Sequence, residues 1–367
     1  LRDAKEYGSI LNISQVDFTS LYDRVDEVRA DISMFREIVL SSILPLIQVA
    51  EIMAQKYGVV VTNPPYMAVS NAGAKVNDYV KKYFPDSKSD MFAVFIERCG
   101  QMTKKDGYQA MITQHSWMFL SSFEKLRTKL LAVDIISMAH LGARAFEEIG
   151  GEVVQTTTFV IQKSSVKKYA GSYFRLIAPV TQQGKEDMFL SGKNRYIARQ
   201  FDFSKIPGSP VAYWATEGVI RAFNTADALE VSAAPKRGMC TCGNDLFYRN
   251  WYEIPYPDFC YPKSIAEHNG WVPLNKGGDY RKWYGNLLEV VDWKNNAQRL
   301  RNYPTAQIKN EDFYFLPAIT WSSITSKRLS FRYTPDGFIF DQASNGVFPP
   351  VNLYYYYLAL LNSKAAT

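Results

Sequence analysis

Residues 59–66 read Val-Val-Val-Thr-Asn-Pro-Pro-Tyr, and this octet constrains the chain more than any other stretch. Three β-branched residues in a row predict a short strand buried in a parallel sheet. The two prolines fix φ at both positions and remove two backbone donors, so the strand ends in a rigid loop. In an open α/β sheet, residues just past a strand's carboxyl end face the ligand crevice. The loop presents two acceptors, the Asn63 side-chain oxygen and the Pro64 carbonyl, followed after Pro65 by the aromatic face of Tyr66.

A planar ligand with an exocyclic amine suits that set. The acceptors would take its two N–H hydrogens while its ring stacks on Tyr66. An aromatic amine is a poor nucleophile because its lone pair is conjugated into the ring. Holding both hydrogens favours a tetrahedral nitrogen with the lone pair free, an effect of fixed dipoles that needs no covalent intermediate. No Ser-His-Asp or Cys-His arrangement stands out in the sequence. Asn and Pro also form ordinary turns, but the apolar strand before this one and the aromatic after it point to a site.

Around the octet, helical and strand patterns alternate. Residues 21–57 read as helical, interrupted near Pro45, and residues 90–104 carry an apolar helical face that includes Phe95. Strands are predicted at 108–112, 133–139 and 153–161, with a helix at 121–131. The fold class expected is α/β: part of a Rossmann-like, doubly wound sheet, followed by an irregular α+β domain. The boundary is placed near 165–175, in the linker-like stretch Lys163-Ser-Ser-Val-Lys-Lys-Tyr-Ala-Gly.

Charge and aromatic content differ across that boundary. The 367-residue chain carries a net charge of +6, of which +1 falls in residues 1–170 and +5 in residues 171–367. Six of the seven tryptophans also lie in the second part. Basic and aromatic residues interleave there in Arg249-Asn-Trp-Tyr, Lys276-Gly-Gly-Asp-Tyr-Arg-Lys-Trp-Tyr and Ser326-Lys-Arg-Leu-Ser-Phe-Arg. Such runs suit a polyanion. Lys276, Tyr280, Arg281, Lys282 and Trp283, with Arg249, are therefore candidate polyanion-contacting residues, although each alone is also an ordinary surface or core residue. The tyrosine run 354–357 reads as a core strand or helix edge. No apolar run is read as reaching the ~20 residues of a membrane span, so no membrane partner is expected. Four cysteines form no disulfide framework and fit a cytoplasmic setting.

Asn63-Pro64-Pro65-Tyr66 resembles the catalytic motif of methyltransferases that act on amino groups. The surrounding stretches narrow the resemblance: Asp3-Ala-Lys-Glu-Tyr-Gly-Ser-Ile, Lys88-Ser-Asp-Met-Phe-Ala-Val-Phe-Ile-Glu-Arg, Ile112-Thr-Gln-His-Ser-Trp, His140-Leu-Gly-Ala-Arg-Ala-Phe and Lys276-Gly-Gly-Asp-Tyr-Arg-Lys-Trp. Together they are similar to the adenine-specific DNA methyltransferases of BREX phage-defence systems, over essentially the whole chain. The resemblance implies S-adenosylmethionine as donor, a flipped adenine in double-stranded DNA as acceptor, and other defence proteins as possible partners. It places Asn63, Pro64, Pro65 and Tyr66 in the catalytic loop, Phe146 against the flipped base, and Phe95 beside the adenine ring of the cofactor. Residues 1–170 would be the later part of the methyltransferase domain, and residues 171–367 a target-recognition domain. Two other roles fit the same residues: the modification part of a restriction-modification enzyme, or a non-catalytic DNA-binding module.

The chain departs from that family in one respect. The glycine-rich loop that binds the cofactor is absent from the sequence. The chain is therefore expected to be an internal fragment that does not methylate DNA unaided. Three weaker signals remain. Cys240-Thr-Cys242 with Cys260 and His268 fits no common zinc spacing, so no metal is expected. His115 is expected to be structural, and Asp90 to cap a helix.

Overall fold

The computed structural model describes residues 3–30, 33–146, 154–166, 168–261, 269–324, 328–364 and 366. Val153 of the predicted strand, His268, and Ser326 and Lys327 of the third basic run lie outside them. The chain divides into two compact units, residues 1–225 and 226–367.

The first unit opens with α1 (Phe18–Ala30) and α2 (Met34–Ala54). Next come β1 (Tyr57–Thr62), α3 (Ala74–Tyr83), α4 (Met91–Met102) and β2 (Thr103–Gln114). The unit continues with α5 (Glu124–Leu130), β3 (Asp134–Gly142), β4 (Thr156–Gln162) and β5 (Gly171–Arg175). It ends with α6 (Gln182–Leu190), β6 (Arg195–Ala198) and α7 (Glu217–Thr225). The six strands form one mixed sheet in the order β1-β2-β4-β3-β5-β6. β1 runs parallel to β2 and β3 parallel to β5, while β4 lies antiparallel between β2 and β3. The carboxyl ends of β1, β2, β3 and β5 therefore share one end of the sheet. The expected boundary near 165–175 falls inside this unit, because β5 and β6 extend the same sheet.

One face of the sheet buries Phe92, Ile96, Trp117, Leu126, Phe159 and Tyr173 against α4 and α5. Arg127 fixes this layer. Fully buried, it donates to the carbonyls of Trp117, Leu120 and Gly208 at 2.6–3.0 Å. On the opposite face, Phe189 of α6 packs on Phe174 with ring centroids 4.6 Å apart.

Three expectations change here. Val59 and Val61 are 60% and 71% exposed rather than buried, because β1 is the edge strand and their face is uncovered among the described residues. Pro45 does not interrupt α2 but lies within it. Residues 36–54 of that helix, with a mean hydropathy of 1.6, are long and apolar enough to cross a membrane. The sequence reading missed this span because isolated polar residues break the apolar run, yet the average over residues 36–54 stays at 1.6.

The second unit contains two four-stranded sheets. One comprises β8 (Tyr248–Asn250), β9 (Trp271–Asn275), β10 (Glu289–Asp292) and β13 (Ile339–Phe340). The other comprises β7 (Ala234–Lys236), β11 (Ala318–Ser322), β12 (Phe331–Thr334) and β14 (Ser344–Phe348). Asn275 joins them: its buried amide donates to Thr320 Oγ1 at 3.0 Å and Thr334 Oγ1 at 2.7 Å, and it accepts from Ser344. The tyrosine run opens a closing helix, α8 (Tyr354–Leu361), with Tyr354 and Tyr357 buried and Tyr355 and Tyr356 exposed.

Candidate active site

The loop after β1 is held by the helix that follows it. Asp90 caps α4 by accepting from the Phe92 amide at 3.3 Å, and the same Oδ1 accepts from the Met67 amide at 3.1 Å. The Met91 amide donates to the Met67 carbonyl at 2.9 Å. One carboxylate thus fixes both the helix start and the exit of the Asn63–Tyr66 segment. Burial raises the Asp90 pKa, offset in part by these amides.

Asn63, Pro64, Tyr66 and Phe146 line one cavity of about 980 Å³ at the shared carboxyl end of the strands. Its remaining wall comes from Ala139 and Leu141 of β3, Ala145, Leu176 just past β5, and Gln182, Lys185, Glu186 and Phe189 of α6. Pro64 is buried, whereas Asn63 and Pro65 are exposed. The Tyr66 ring meets Phe92 edge-on at 6.3 Å. Its hydroxyl is buried without a hydrogen-bond partner among the described residues, and burial pushes its pKa up to about 12. The phenol is therefore neutral, and a buried O–H left free is a group for a ligand to satisfy.

Phe146 reaches the cavity from the loop that leaves β3. Gly142 opens that loop with φ +67, and a Cβ there would meet Ile177 at 3.0–3.3 Å, so the turn requires glycine. Phe95 lies half-buried on α4, packed against two apolar clusters. The cavity thus unites Asn63, Pro64 and Tyr66 with Phe146, across about 80 residues of sequence.

His115, at the end of β2, belongs to a polar chain. Its Nδ1 lies 2.7 Å from His140 Nε2, and His140 Nδ1 lies 3.1 Å from Tyr213 Oη. Burial, with the nearby His115, Arg175 and Lys185, lowers the His140 pKa to about 3. His140 is thus a neutral, hydrogen-bonded core group.

In the second unit, the candidate DNA-contacting residues occupy two places. Lys276 and Arg249 border a polar cavity of about 380 Å³ with Asn244, Asp245, Glu253 and Glu289. The Lys276 ammonium lies 5.2 Å from the Tyr248 ring, and Arg249 donates to the carbonyls of Asp245 and Tyr248. Tyr280, Arg281 and Trp283 are exposed on the loop that follows, and the half-buried Lys282 donates to the Asn362 carbonyl at 3.1 Å. That loop is pinned at both ends. Gly277 has φ +89 and no room for a Cβ beneath Ala343, while the Trp283 amide and carbonyl bond to Phe331 and Tyr333. Cys240 and Cys242 bring their sulfurs to 3.0 Å. Among the described residues, no group of three or more His, Cys, Asp or Glu is placed to hold a metal ion.

Sequence reasoning missed the α6 wall of the first cavity. Gln182, Lys185 and Glu186 belong to no motif, and only the fold brings them beside Asn63.

Residues 12–146 match the family described as Eco57I restriction-modification methylase. The chain is 42% identical over 342 residues to the adenine-specific methyltransferase PglX of Lacticaseibacillus casei (strain Zhang), covering 88% of this chain and 28% of that protein. It is 39% identical over 371 residues to the adenine-specific methyltransferase BrxX of Escherichia coli O9:H4 (strain HS), covering 98% of this chain and 30% of that protein. The chain is related to these adenine-specific methyltransferases. It spans less than a third of the length of either. The Asn63–Tyr66 loop, Phe146 and the apolar residues 36–54 all fall inside the methylase match. Among solved structures, the DrdV–DNA complex is 13% identical with a TM-score of 0.47, covering 83% of this chain and 37% of that one. A nuclease-deletion mutant of the type ISP restriction-modification enzyme LlaGI, bound to a DNA substrate mimic, is 10% identical with a TM-score of 0.47, covering 79% and 35%.

Proposed function

We propose that this chain supplies the adenine-binding and sequence-reading parts of an N6-adenine-specific DNA methyltransferase. The observation that carries the reading is one cavity lined by Asn63 and Pro64, the two residues that can supply acceptors, and by two aromatics from distant segments, Tyr66 and Phe146.

An adenine inside a duplex cannot reach such a cavity, so it is extruded from the stack. Its ring then lies between Tyr66 and Phe146, and stacking on an aromatic contributes roughly 1–3 kcal/mol per base. Asn63 Oδ1 and the Pro64 carbonyl accept the two N6 hydrogens. As the nitrogen becomes tetrahedral its positive charge grows, and these fixed dipoles stabilise it most in the transition state. Pro64 suits this role because its ring fixes φ and the following Pro65 restricts its ψ, so its carbonyl needs little reorganisation. S-adenosylmethionine supplies the methyl group in this chemistry. The residues described fit the acceptor side of the reaction and not the whole cofactor: the sequence has no glycine-rich loop after a strand, and Phe95 is the one residue assigned to that side. Methyl transfer by this chain without further polypeptide is not expected.

The second unit is the DNA reader in this account. Lys276, Arg281 and Lys282 would meet phosphates, with Arg249, Tyr280 and Trp283 at the duplex surface, giving salt-dependent affinity. Marking host DNA in phage defence, in a bacterial cytoplasm and beside other defence proteins, is the role the family resemblance implies.

The test is transfer of labelled methyl groups from S-adenosylmethionine to DNA by the full-length protein. Asn63→Ala should abolish transfer and leave duplex binding intact. Transfer at the wild-type rate would refute the assignment.

A further inference from the structure

Lys185 is a charged group in the cavity wall for which the adenine reading has no use. It lies on α6, is 5% exposed, and shares the wall with Asn63, Tyr66 and Phe146. Its ammonium donates to the Leu141 carbonyl at 2.6 Å, near the end of β3, and to the Leu176 carbonyl at 2.9 Å, just past β5. An ammonium has three donors, so two carbonyls leave one N–H unused. Burial depresses its proton affinity, and no neighbouring carboxylate offsets this. Glu186, the other charged residue of the wall, forms no ion pair with it among the described contacts.

A second cation stands at the same end of the sheet. Arg175 closes β5 with its guanidinium 4.9 Å from the Trp214 ring, and its buried Nε has no hydrogen-bond partner among the described residues. Both charges act on His140, which pairs with Arg175 across β3 and β5. Burying cations without counter-ions is unfavourable. Arg175 does not line the cavity, but Lys185 does, and a wall that keeps a buried cation is set up for an anion to enter.

We propose that Lys185 forms the anion subsite of this cavity and binds the phosphodiester flanking the extruded adenosine; the assignment rests on reading the cavity as an adenine pocket. A base leaves the duplex with its sugar attached, which draws the adjoining phosphates toward the cavity mouth. A phosphate oxygen accepts the third N–H of the ammonium in a charge-assisted hydrogen bond. Because Lys185 also ties the ends of β3 and β5, the phosphate is placed relative to the loop that carries Phe146. The residue thereby sets how far the nucleotide enters.

The experiment compares duplexes that carry a neutral methylphosphonate at either phosphate flanking the target adenine, bound to the full-length protein. Wild type should lose about tenfold in affinity at one of the two positions, the effect of one charge-assisted contact. Lys185→Met should bind the native duplex about tenfold more weakly and lose nothing further on the neutral duplex. Lys185→Arg should keep the sensitivity. An equal loss in wild type and Lys185→Met overturns the proposal. So does the absence of any loss in wild type, a comparison that needs no variant. Lys185→Gln replaces the Met variant if the latter fails to fold. Unimpaired methylation by Asn63→Ala would instead remove the adenine reading itself; with Asn63→Ala inactive, equal phosphate losses remove only Lys185.

Discussion

The cavity of the first unit and the basic loop of the second solve different recognition problems. The cavity is concave, drawn from three strand ends and a helix. The Lys276–Trp283 loop is solvent-exposed at Tyr280, Arg281 and Trp283, and pinned mainly at its ends. A fixed cavity suits chemistry on one atom, where a small displacement costs rate. An exposed basic loop suits a long polyanion, where many weak contacts add up and salt competes with each of them. Loss of the Asn63 acceptor in the cavity should therefore act on turnover, and changes in the loop on affinity and its salt dependence.

The largest expected effect is on turnover. Asn63→Ala removes one of the two fixed acceptors and should lower kcat by at least ~10²–10³, the range for loss of one preorganised transition-state hydrogen bond. Single-turnover methylation at saturating DNA checks it. A change confined to KM would mean that the cavity binds without catalysing. Phe146→Ala should come next. Loss of one stacking face costs about 1–3 kcal/mol, seen as weaker binding of a duplex with a mismatched target adenine relative to one lacking that base.

The buried histidines give the cavity unit a pH signature that the loop lacks. Folded His140 stays neutral down to about pH 3, whereas an unfolded histidine protonates near its ordinary value of 6.5. The unfolded chain thus binds more protons between those limits. Stability should fall as pH drops through that window, by at most about 1.4 kcal/mol per pH unit, and should show no such dependence above it. Burial lowers the His115 pKa too, which acts in the same direction. Urea melts between pH 7.5 and 4.5 measure the slope, and His140→Gln should reduce it. The smallest effect belongs to the loop. Arg281→Gln should weaken duplex binding a few-fold and reduce the slope of log affinity against log salt by about 0.9, one phosphate contact. An unchanged slope would take Arg281 off the DNA surface.

The first unit was legible where chemistry is local. Asn63-Pro-Pro-Tyr after a β-branched strand identifies its own position at a sheet end, and Asp90 before an apolar helical face reads as the cap it is. Burial was not legible, because it depends on what covers an element. Val59–Val61 has the composition of a covered central strand, yet β1 is an edge whose outer face is open among the described residues. The domain boundary was misplaced for a related reason. Residues 163–171 have linker composition, but the strands that follow pair back into the first sheet, and local composition carries no record of pairing. Lys185 was invisible in the sequence because its role comes from two carbonyls that lie 44 and 9 residues away.

The central claim is that an extruded adenine enters the cavity beside Tyr66. Once the methylated sequence has been mapped, a duplex with 5-iodouracil in place of the target adenine can be photo-crosslinked to the full-length protein and the adduct located by mass spectrometry. The account predicts a crosslink on Tyr66 or Phe146 that disappears when the iodinated base is moved one position along the duplex. A crosslink confined to residues 226–367, or one unaffected by the shift, would contradict it.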